Sequence, residues 1–299
     1  MNKWTRRGLM TAGAAAGAAA LIGAGPPSRR PEPLDIVTGL DGFGAPSTAA
    51  AGAVTFRLRT TSTQTGIVGI ARLRPGIGEA TFRRHLRDVF EKETPQDVIR
   101  ASKDLMAAAE LLGGAMAVPG SQPAFTVRLR PGRHLVLEYK DFEGPNVGRD
   151  PLPGEEYVRP LLVRATGDAG AGCPPPSATV TAVDTAEGPR FVLEGGIRRG
   201  RPVRYVNAMR GQVDELAVYP LEDDSVTEAD IQAFFLDTGT PAPFDLRAQL
   251  GTPPLSPGRS AVVEMPLDRG RYALTTWVAG MKDAQHLSAH GQVLIVTVP

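Results

Sequence analysis

The sequence predicts a mainly β fold of two sandwich units in tandem, each interrupted by helix. Three observations predict it: an internal repeat, paired runs of alternating residues, and two short helical signals between them. The segments "PGSQPAFTVRLRPGRHLVL" (119–137) and "PGRSAVVEMPLDRGRYALT" (257–275) align without a gap at an offset of 138, matching Leu129 with Leu267, Gly132 with Gly270 and Arg133 with Arg271. Earlier, "GEATFRRHL" (78–86) lines up with "TEADIQAFF" (227–235), and "AVTFRLR" (53–59) with "PVRYVNA" (202–208), both at an offset of 149. A repeat of this length marks a folding unit used twice. The 11-residue difference between the offsets places extra chain in the middle of the first copy.

Residues 1–30 read as a leader rather than as part of the fold. "TRRGLM" puts Arg6 and Arg7 before the Ala/Gly-rich run "TAGAAAGAAALIGAG", which resembles a bacterial twin-arginine export signal. The run is too rich in Gly and Ala to read as a membrane span. No cysteine follows it to carry a lipid, so the expectation is export to the cell envelope or beyond, with no stable membrane anchor after cleavage. Cutting after residue 25 removes Lys3, Arg6 and Arg7, which leaves 30 bases against 32 acids and a net charge of −2. Such a balance offers no basic track for nucleic acid. Cys173 is the one cysteine, so no intramolecular disulfide forms; pairing between chains stays open.

The first unit is expected over 33–165, and the second over 178–299. The Gly/Pro-rich stretch 166–177 joins them. Val54, Phe56 and Leu58 alternate with polar residues, as Val203, Tyr205 and Asn207 do in the second copy. "AFTVRLRPGRHLVLEY" gives two alternating runs broken at Pro131–Gly132, and "SAVVEMPLDRGRYALTTW" breaks at Arg269–Gly270. Alternation of this kind belongs to half-buried strands. Val98, Leu105, Met106, Ala109 and Leu112 recur at helical spacing, with Pro95 near the start and Gly113 past the end. Thr227 with Asp230 three residues on opens a second helix carrying Ile231, Phe234 and Phe235.

The second copy, residues 178–299, resembles a cupredoxin, the Greek-key sandwich of blue-copper proteins; the first resembles it more weakly. The family pattern has an Asn closing one strand, a His some residues later, then a Cys, a His and a Met after a Gly-x-Tyr strand. "YVNAMRGQVDELAV" supplies Asn207, and Asp214 stands at the first His position. In "GRYALTTW" the Cys position falls on Thr276. His286 or His290 matches the second His, and Gln292 takes roughly the place of the axial Met. The resemblance implies the fold, and the substitutions remove the type 1 site, because a blue-copper centre needs a thiolate with two imidazoles. The first copy carries Glu138 and a histidine-free "EGPNVGRDPLPGEEY" in the corresponding places.

Two functional readings follow. In the first, the chain is a non-enzymatic binding or interaction protein with no cofactor, and the former metal end (207–216 and 276–292) forms a site with Asn207, Thr276 and Gln292 as pocket candidates. The 140–156 loop is its counterpart in the first unit. The partner is then a protein, an envelope polymer or a small polar ligand. In the second, "HLSAH" places His286 and His290 four residues apart, and with Asp214 or Asp283 they handle copper or zinc. "LEDDS" lacks the ligand spacing of a calcium loop and reads as a solvated turn. His85 reads as a solvent-facing residue of the basic segment "FRRHLRDVFEK". No nucleophile elbow, P-loop, zinc-protease helix or dinucleotide fingerprint is present, so an enzyme comes third.

Overall fold

A computed structural model describes residues 32–39, 42–139, 158–165, 172–237 and 239–299. The fold is mainly β, as predicted, with two large sheets packed face to face. In the first half β1 (Leu34–Gly39), β2 (Gly42–Gly44), β4 (Gly52–Thr60) and β7 (Ala124–Leu129) lie in one sheet. The other sheet takes β3 (Thr48–Ala50), β5 (Gly66–Leu73), β6 (Ala109–Ala117), β8 (Gly132–Glu138) and β9 (Val158–Arg164). The second half repeats the scheme with β10 (Ala178–Thr185), β11 (Gly188–Gly195), β12 (Val203–Asn207) and β15 (Ser260–Glu264) in the first sheet. Its β13 (Asp214–Leu221), β14 (Leu250–Leu255), β16 (Gly270–Thr275) and β17 (Leu294–Val298) join the second.

The strand orders are β11-β10-β12-β15-β7-β4-β1-β2 and β17-β16-β13-β14-β6-β5-β8-β9-β3. Apart from the short β3, each reads the same from both ends once the two halves are equated, so a pseudo-dyad passes between β15 and β7 and between β14 and β6. The ladder shows it residue by residue: Ala124 pairs with Glu264 and Thr126 with Val262. The sequence offset of 138 carries Ala124 to Val262 and Thr126 to Glu264, so the pairing maps onto itself around Phe125 and Val263. The two sandwiches therefore share their sheets edge to edge. Joining β15 to β7 and β14 to β6 also removes two unpaired edges per half, which exposed strands would otherwise offer to other chains.

Between the sheets lies one apolar core that runs through both halves, with Phe56, Phe125, Val136, Val180, Tyr205 and Leu274 fully or almost fully buried in it. Phe56 and Phe125, cross-strand partners, stack with centroids 5.1 Å apart. The second sheet is covered on its outer face as well. Helices α1 (Glu79–Glu91) and α2 (Pro95–Ala108) lie over the first half through Phe82, Leu86 and Leu105, and α3 (Glu228–Leu236) lies over the second through Ile231, Phe234 and Phe235. Thr94 caps α2, accepting from the Asp97 N–H, and Pro95 follows at the first helical position, where its missing N–H costs nothing. Thr227 and Asp230 form the reciprocal capping box that the sequence predicts.

The α2 reading needs one correction. The helix ends at Ala108, and Ala109, Leu112 and Gly113 belong to β6, which is buried along its whole length. A strand covered on both faces has no polar alternation, so its apolar run mimics a helical stripe. Gly113 is no helix cap; it sits inside the strand at φ +78°. Its neighbour Gly114 approaches β5 so closely that a Cβ there would lie 1.8 Å from the Val68 carbonyl oxygen. His85 also departs from the reading: it is half-buried on α1 rather than fully solvent-facing. The 140–156 loop lies outside the described residues, and Cys173 is free and half-buried.

Candidate functional site

The end of the second half is assembled by the last residue of β12 (Asn207), the first of β13 (Asp214), the residue after β16 (Thr276) and the chain leading into β17 (Gln292). All four are completely buried. Asn207 is structural glue. Its side-chain amide donates to the carbonyls of Gln212 and Leu255 at 2.8 and 2.9 Å, and its Oδ1 accepts from the Met209 N–H at 3.0 Å. Three segments are thereby tied to one strand end.

Asp214, Thr276 and Gln292, the three positions the resemblance equates with copper ligands, do converge. They converge on one another. Tyr205 donates its hydroxyl to Asp214 Oδ2 at 2.5 Å, Thr276 donates to Oδ1 at 2.9 Å, and the Gln292 amide donates to Oδ2. Ser288 closes the shell, its hydroxyl accepting from the Thr276 N–H at 2.8 Å and lying 2.9 Å from the Thr276 carbonyl. Burial pushes the Asp214 carboxyl up to about 6, against the three side-chain donors, which favour the charged form. Burial and the adjacent carboxylate push the Tyr205 hydroxyl in the same upward direction.

The histidines point elsewhere. His286 Nδ1 lies 2.7 Å from the Trp277 carbonyl, which only accepts, so that nitrogen carries the proton. Its ring sits edge-on to Trp277 and Phe235, at 5.5 and 5.7 Å, and burial lowers its pKa, so the ring is neutral at pH 7. His290 lies 2.9 Å from Asp283. His286, His290 and Asp214 thus have separate partners, and among the described residues no three His, Cys, Asp or Glu side chains group as metal ligands. The donor set does not fit type 1 copper: Thr276 brings a hydroxyl in place of a thiolate, and Asp214 is engaged by three donors.

Beside this closed network is an open cavity of about 310 Å³. Its walls come from α1 and α2 of the first half and from Val213, Glu215 and the Trp277–His286 segment of the second. Glu215 accepts from the Trp277 N–H at 2.8 Å, and the Trp277 indole donates to Tyr219 at 2.8 Å, which fixes the wall. Sequence reasoning singled out His286 here but not Glu215, Trp277 or the helical wall, because residues more than 100 positions apart meet through the pairing of β6 with β14 and of β7 with β15. Tyr205 carried a signal that went unread: it shares the inward face of β12 with Asn207, and a buried Tyr hydroxyl needs a partner.

No family profile and no curated protein matches the sequence. Among solved structures, reduced auracyanin from the photosynthetic bacterium Roseiflexus castenholzii is similar at 19% identity with a TM-score of 0.28, over 42% of this chain and 99% of that one. A multicopper oxidase is similar at 12% and 0.24, over 89% and 88% of the two chains. A copper nitrite reductase from Nitrosomonas europaea is similar at 14% and 0.22, over 89% and 92%. Superpositions at these scores carry no argument about activity, and the fold rests on the strand orders given above. No helix among the described residues is long and apolar enough to cross a membrane.

Proposed function

We propose that the chain is an exported, non-enzymatic binding protein built on a cupredoxin-like scaffold that holds no type 1 copper. The observation that carries this reading is the Asp214 carboxylate bound by Tyr205, Thr276 and Gln292. Hydrogen bonds there engage both oxygens of the carboxylate that a metal would otherwise organise, and the loops around it no longer answer to coordination geometry. Export by the twin-arginine route is part of the proposal and rests on Arg6 and Arg7.

Metal analysis of protein purified without chelator or affinity tag tests the reading, followed by titration with copper(II) and zinc. The expected result is metal-free protein with no site tighter than micromolar, and an unchanged isotherm in a His286→Ala/His290→Ala variant. Near-stoichiometric, histidine-dependent copper or zinc would replace this reading with metal handling. For export, an Arg6→Lys/Arg7→Lys chain is expected to stay in the cytoplasm; its undiminished export would remove that part.

A further inference from the structure

We infer that the cavity between the α1–α2 pair and the Trp277–His286 segment is a binding site for a small, uncharged, largely apolar molecule bearing a hydrogen-bond donor, a phenol being the simplest case. The inference rests on the binding reading above and names its site and ligand class. A volume of about 310 Å³ stands at the lower end of the range of small-molecule sites, which are mostly apolar with a few placed polar groups. Leu86, Val89, Leu105 and Val213 supply the apolar wall, and Tyr139 and Trp277 supply aromatic faces.

The polar groups of the wall set the polarity of the guest. The Trp277 carbonyl holds the His286 proton on Nδ1, so Nε2 presents a lone pair and accepts. Glu215, a second acceptor, is held to the Trp277 N–H, and Ser102 and Tyr139 add hydroxyls to the wall. Among the described residues of the lining there is no lysine or arginine, so none of them neutralises an anionic guest beside the Glu215 carboxyl. A donor on an apolar body meets His286 while its ring fills the space between α2 and Trp277. The Asp214 network takes no part, since its members are sealed from this cavity's lining.

The chain has two tryptophans, Trp4 and Trp277, so a Trp4→Phe protein reports from the cavity wall alone. Its fluorescence is titrated with p-cresol and with 4-methylanisole, which has the same ring without the donor. Metal content is measured on the same samples. The expected result is a saturable response to p-cresol, at least about tenfold weaker for the ether. His286→Phe is expected to erase that difference, and Ser102→Leu, which fills the cavity from α2, to abolish both responses with the circular dichroism spectrum retained. Equal affinity for the two compounds overturns the ligand class. Absence of a saturable response in folded, metal-free protein overturns the site while leaving the binding reading standing. Bound copper or zinc at stoichiometry overturns the binding reading itself, whatever p-cresol does.

Discussion

Replacing Asp214 by Asn isolates what a buried carboxyl contributes to the pH dependence of stability. Asp214 is fully buried in the folded chain and its pKa stands at about 6, against an ordinary value of 3.8. The folded state therefore holds the proton more tightly than the unfolded one. Its contribution is fully present below pH 3.8 and is lost as pH rises through about 6, beyond which the curve is flat. At about 1.4 kcal/mol per pH unit, the difference between the two values is worth about 3 kcal/mol. Urea unfolding of the wild type and of Asp214→Asn at half-unit steps from pH 4 to pH 8 gives the comparison. The wild type is expected to lose about 2.4 kcal/mol more than the variant over that range, nearly all of it below pH 6.5. Curves that stay parallel from pH 4 to pH 8 would refute a carboxyl whose ionisation is opposed by burial.

Tyr205→Phe removes a donor that favours the charged carboxyl, so the wild-type pH step should shift upward and stability at pH 8 fall by about 2 kcal/mol, read by the same unfolding series. Thr227→Ala breaks the capping box of α3 and is expected to cost about 1 kcal/mol in urea unfolding at pH 7. Gly114→Ala forces a Cβ against the Val68 carbonyl and is expected to cost at least about 3 kcal/mol, or to prevent soluble expression; a fully stable variant would contradict the close approach of β6 to β5.

Much of this architecture is legible in the sequence, for a physical reason. A duplicated unit keeps its strand breaks at Pro131–Gly132 and Arg269–Gly270, and the offset that relates them reappears as the symmetry of the β7–β15 ladder. The strands that alternate cleanly, such as β4 and β12, belong to the sheet with one open face. Strand β6 does not alternate, because α2 covers one side and the sandwich core the other, so Ala109 and Leu112 continue the helical spacing of α2 in the sequence. At the site, Asp214, Thr276 and Gln292, the positions that the copper pattern aligns, are hydrogen-bonded to one another. Spacing does not reveal that Tyr205 completes their network, since the hydroxyl reaches Asp214 from β12 in the opposite sheet. Nor does spacing reveal that His286 turns to the Trp277 carbonyl, a choice made by one local hydrogen bond.

The central claim is that hydrogen bonds to Asp214 occupy the place a copper ion takes in the resembled family. Crystals grown with equimolar copper(II) and measured on both sides of the copper absorption edge test it most directly. The account predicts no anomalous peak within coordination distance of Asp214, with Tyr205, Thr276 and Gln292 in hydrogen-bond contact with its carboxylate. A full-occupancy peak ligated by Asp214 and by His286 or His290 would contradict it.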